Sequence, residues 1–171
     1  MNSRQTRRDA PASPLRAIVW GGMLCGIFDL IAAFVIYGLL GTSPMLLLRS
    51  IASGLLGRAA FAGGLPAACL GFILEFVIAI GAAAVYVMAA GFLGFLTRHP
   101  WIAGPLYGIA VYWFMQLVVL PLSGYGHRRF SLELTLIGIA IHMICVGPPI
   151  AFAARRFAAP ASASSSDSAA S

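Results

Sequence analysis

Charge is what this sequence lacks most. Of 171 residues only 9% are charged, five of them acidic, and none of the eleven basic residues is Lys. A soluble globular domain carries about 25% charge, so a water-facing surface cannot be assembled from this chain. Cysteine is scarce too. Cys25, Cys69 and Cys145 are odd in number, show no CxxC spacing and lie within apolar stretches, which fits small packing residues in helices.

Motifs for common chemistry are also missing. There is no HExxH, no Cys/His cluster and no phosphate-gripping glycine loop, and Ser50, Ser53 and Ser123 stand in no nucleophile motif. One midspan histidine, His142, cannot supply the paired axial ligands of a membrane b-type haem, because His99 and His127 fall in loops on opposite sides. The basic residues are dispersed in short loops without a basic helix or an aromatic platform, which argues against nucleic acid. No cofactor, metal or catalytic residue is therefore expected.

What fills the chain is apolar: 60% hydrophobic residues and a mean hydropathy of +0.92. About 20 apolar residues in a helix cross a hydrocarbon core of about 30 Å. The runs predict an all-α integral membrane bundle with four spans, at about 15–40, 65–95, 101–120 and 132–154. The first run is longer than the 7 to 15 residues of a signal-peptide core and contains Asp29, so it reads as a span. Between spans one and two, residues 45–62 are apolar but interrupted by Arg49 and Arg58, and Gly63-Gly64 follows. That segment reads as a short interfacial or re-entrant helix. Pro148-Pro149 predicts a kink in the fourth span. The ends, 1–14 and the Ala/Ser-rich 157–171, read as disordered tails.

Arginine placement orients the bundle. Arg4, Arg7, Arg8, Arg16, Arg98, Arg155 and Arg156 fall on one side; Arg49, Arg58, Arg128 and Arg129 fall on the other. By the positive-inside rule the first side, with both termini, is cytoplasmic.

The two halves resemble each other. Trp20-Gly21-Gly22-x-x-x-Gly26 opens span one and Trp101-x-x-Gly104-x-x-x-Gly108 opens span three. Gly71-x-x-x-Glu75 in span two is matched by Gly138-x-x-x-His142 in span four. A parallel duplication of a helical hairpin would produce this pattern. The same glycines form small-residue seams at helical spacing, which let backbones approach closely.

Each span also carries one polar residue that a lipid-facing helix would avoid: Asp29, Glu75, Gln116 and His142. A charge at the bilayer centre costs about 2.5 to 3.5 kcal/mol on insertion scales, so such residues face the bundle interior or a hydrated cavity. Depth within the spans suggests an Asp29–His142 pair near the midplane. Glu75 is placed nearer the outer side, where Arg49 or Arg58 could pair with it and pin the intervening segment. Gln116 is assigned to packing.

The runs RSIASGLLGRAAFAGG at Arg49 to Gly64, YGIAVYWFMQLVVLPLS at Tyr107 to Ser123 and IHMICVGPPIAFAARRF at Ile141 to Phe157 resemble a family of small, uncharacterised bacterial inner-membrane proteins. The likeness covers about Ala17 to Phe157 and implies four spans in a bacterial inner membrane, with no substrate or catalytic residue to carry over. The family more often has His at position 75, so this chain departs there. The leading expectation is a non-enzymatic bundle whose polar cluster is structural, partnered by lipid and by a second copy or another membrane subunit. The alternative is a small proton- or ion-coupled permease using Asp29, Glu75 and His142; a membrane-embedded enzyme ranks third.

Overall fold

The computed structural model describes residues 13–122 and 131–158. The expected disordered tails and the outer loop with His127, Arg128 and Arg129 lie almost wholly outside these residues. Among the described residues every regular element is helical. Four helices are long and apolar enough to cross a membrane: Pro14–Leu39, Gly64–Phe92, Pro100–Val119 and Leu132–Phe157. The protein is a multi-pass all-α membrane bundle.

Local chemistry sets the helix ends. Helix α1 (Pro14–Leu39) starts with Ser13 as N-cap, its hydroxyl accepting from the Arg16 amide, and Pro14 in the first turn. The same Ser-Pro device starts α2 (Pro44–Leu56), where Ser43 accepts from the Leu46 amide at 3.2 Å. Gly57 ends α2 at φ 59° and Gly64 opens α3 (Gly64–Phe92) at φ 56°, a left-handed backbone that glycine adopts without a Cβ penalty. A 3₁₀ turn, Gly57–Phe61, lies between them.

Helix α3 stops short of the expected Phe95. Backbone at Leu93 leaves the helical region (φ −112°, ψ 87°), and a short helix α4 (Gly94–Arg98) follows in place of a simple turn. The Tyr86 hydroxyl fastens it by donating to the Leu96 carbonyl at 2.9 Å.

The last two spans are each interrupted. Helix α5 (Pro100–Phe114) widens into a π-helical stretch, Met115–Val119, before α6 (Leu120–Leu122). Helix α7 (Leu132–Ile141) does the same at His142–Val146 before α8 (Gly147–Phe157). Proline lacks an amide hydrogen and its ring crowds the carbonyl four residues earlier. Pro121 therefore frees Leu117, and Pro148 and Pro149 free Ile144 and Cys145, each inside its π stretch. The kink read at Pro148-Pro149 takes the form of this widened turn.

Packing is inverted relative to a water-soluble protein. The interior is built from Ala17, Ala79, Ala83, Ala90, Ala103, Ala151 and Ala154, all buried, while Ile73, Leu117 and Ile144 are 58%, 67% and 70% exposed. Lipid solvates the large side chains as well as another protein would, so close backbone approach holds the helices together. Neighbours run α3, α1, fourth span, α5. Both ends of the described bundle meet, since the Ser13 amide donates to the Phe157 carbonyl at 2.8 Å.

The hairpins repeat one contact. A Cβ on Gly22 would fall 2.6 Å from Ile80 Cα, and one on Gly26 would press the Phe76 ring. In the second hairpin the corresponding Gly104 abuts Gly147 and Pro148, and Gly108 abuts His142 and Met143. Equivalent glycines thus meet equivalent positions, as a duplicated hairpin requires. Among the described residues helix α2 has no counterpart in the second hairpin; it docks where Gly71 admits the Leu48 carbonyl.

Candidate functional site

Long side chains close the inner part of the bundle. The Tyr107 hydroxyl of α5 donates to the Ala82 carbonyl of α3 at 2.7 Å, and the Tyr86 and Tyr107 rings meet edge to face at 4.9 Å. The other end of the bundle is covered by α2, which packs on the first turns of α3. A cavity of about 750 Å³ opens there, walled by Tyr37 and Thr42 at the end of α1, Ser50 on α2, Glu75 on α3 and Gln116 on the π stretch, among aliphatic neighbours.

Glu75 meets Asp29 from the facing helix α1, carboxyl to carboxyl within hydrogen-bond reach. Two carboxylates carry only acceptors, so they hydrogen-bond to each other only when a proton lies between them. Asp29 Oδ1 is buried and receives no hydrogen bond from a donor group among the described residues; a protonated Glu75 is the neighbour that could supply one. Cys25, one turn before Asp29 on α1, and Cys145 on the π stretch of the fourth span lie near the pair; both thiols are free.

The expected partners are rearranged. His142 does not pair with Asp29, although α1 does pack along the fourth span. Its Nδ1 faces the Gly138 carbonyl at 2.9 Å, which makes Nδ1 the donor, and its ring stands edge-on to Tyr112 at 5.4 Å. Glu75 does not pair with Arg49 or Arg58. Arg49 donates from Nε to the Gly64 carbonyl at 3.1 Å and from Nη1 to the Phe61 carbonyl at 3.2 Å, so it pins the segment through backbone. Arg58 is exposed. Gln116 donates to the Tyr112 hydroxyl at 3.0 Å while also lining the cavity.

Spans one and two meet at the α2 end, and Asp29 and Glu75 lie about equally far from it along their helices; that α1 packs against α3 is a fact of the fold that no residue pattern shows. Among the described residues no group of three or more His, Cys, Asp or Glu side chains is gathered as a metal site would need. No protein-family model, curated protein or solved structure matches the chain.

Proposed function

We propose that this chain is a small proton-coupled permease of a bacterial inner membrane, with the Asp29–Glu75 pair as its proton site and the outer cavity as its access path. The observation that carries the reading is the placement of the pair. Glu75 forms part of the cavity wall, and its neighbour Asp29 on α1 has a buried Oδ1 that no donor group of the described residues reaches. Two neighbouring carboxyls beside a cavity can take up a proton and release it, which is the elementary step of a relay.

The packing reading explains less. Docking of α1 onto α3 is already provided by Gly22 and Gly26 against Ile80 and Phe76, so a costly carboxyl pair adds no adhesion that the glycine seam lacks. His142, held by Gly138 and Tyr112, serves here as a structural side chain of the second hairpin.

Purified protein in proteoliposomes loaded with a pH-sensitive dye tests the proposal. Proton uptake under an imposed pH gradient is expected in the parent and should fall to the level of empty liposomes in Asp29→Asn and Glu75→Gln, with assembly unchanged. No uptake by the parent under any gradient, or equal uptake by both variants, overturns it and returns the pair to a packing role.

A further inference from the structure

The cavity has a charge character that its proton site does not require. Its described wall is mostly aliphatic and aromatic, with Leu47, Ile51, Leu74, Ile78, Phe114 and Val118 among the lining side chains. Glu75 is the single charged residue of that wall; no Arg or His lines it. Arg49, on the helix that covers the cavity, is held by the Phe61 and Gly64 carbonyls. Among the described residues of the wall the acid meets no cation, and Asp29 of α1 is a second carboxyl close to it. Gln116 gives one of its two amide hydrogens to Tyr112, and its carbonyl oxygen is a further acceptor.

An occupant must suit both features. At about 750 Å³ the space matches the range of about 300 to 1,000 Å³ typical of small-molecule sites. Apolar walls favour a hydrophobic body. An acid with no cation beside it among the described residues repels anions and rewards a cation.

We infer that the cavity binds a lipophilic monocation, such as an ammonium on an apolar body, in exchange for the proton shared by Asp29 and Glu75. The exchange balances: one cation enters, one proton leaves to the outer solution, and the net charge of the site is unchanged. A zwitterionic ligand fits less well, because no basic side chain of the described wall could receive its anion. The inference rests on the proton-site reading and adds the ligand class to it.

Two probes of nearly the same shape and opposite charge, tetraphenylphosphonium and tetraphenylborate, test it by equilibrium binding to the full chain in phosphatidylcholine nanodiscs. Saturable binding of the phosphonium is expected, at least about tenfold tighter than that of the borate, with proton release on binding in weakly buffered solution. Glu75→Gln should weaken it about tenfold or more, and Glu75→Asp, which keeps the charge, should restore most of it. This contrast separates lost charge from lost fold. Equal affinity for both probes, or phosphonium binding unchanged in Glu75→Gln, overturns the inference. If proton flux persists without phosphonium binding, only the ligand class falls; if binding persists without flux, only the coupling falls.

Discussion

Removing both carboxyls together separates a functional pair from a structural one. With Glu75→Leu alone, Asp29 loses its hydrogen-bonding neighbour, and a stranded buried polar group costs about 1 to 3 kcal/mol. In the double variant Asp29→Leu/Glu75→Leu nothing polar is left to strand, and such exchanges are often neutral or stabilising. Unfolding of the purified protein in detergent should therefore show the single variant below the parent and the double variant within about 1 kcal/mol of it or above. A double variant less stable than either single variant would mean that the pair holds the helices together. Glycines at the seams obey a different rule. A Cβ on Gly108 would run into the His142 carbonyl, whereas one on Gly81 meets nothing within 4 Å. Gly108→Ala should cost about 3 kcal/mol or more, since backbone cannot rotate away, and Gly81→Ala should gain about 0.5 to 1 kcal/mol from helix propensity. The same unfolding measurement reads both.

Helix α2 shows what pattern conveys about an element and what it leaves out. Arg49, Arg58 and the Gly63-Gly64 pair were enough to separate its segment, 45–62, from the spans. The role of Arg49 was not legible, because a guanidinium reaching backbone carbonyls leaves no partner residue type in the sequence. The Asp29–Glu75 contact was half legible: both acids were visible, but their meeting depends on α1 lying against α3, a fact of packing. The π stretches were legible only as prolines, since sequence marks where an amide hydrogen is missing and not how the turn absorbs the loss. If Arg49 is the clip between α2 and the start of α3, Arg49→Ala should speed amide exchange through Gly57–Phe61, as two charge-assisted bonds of about 1.5 to 3 kcal/mol each are lost. Arg49→Lys should recover little, because an ammonium lacks the fork that reaches two carbonyls. Arg58→Ala, at an exposed site, should change stability by less than about 0.5 kcal/mol. Equal effects at both arginines would leave the clip without support.

At the scale of the whole molecule, the direction in which the cavity faces follows from the termini and the arginines together. The Ser13–Phe157 hydrogen bond puts both ends of the described bundle at one face, beside Arg16, Arg155 and Arg156, and α4 brings Arg98 to the same face by packing against α8. The cavity lies at the opposite end, under α2 with Arg49. The positive-inside rule assigns the arginine-rich face to the cytoplasm, so the cavity should face outward. Replacing Cys25, Cys69 and Cys145 by Ala and introducing Ser50→Cys places a single thiol on the cavity wall. A membrane-impermeant maleimide should label it in intact spheroplasts and fail to label it in sealed inverted vesicles, and tetraphenylphosphonium should slow the labelling if the cavity holds the cation. Labelling confined to inverted vesicles would reverse the orientation and, with it, the direction in which a proton released by Asp29 and Glu75 leaves the protein.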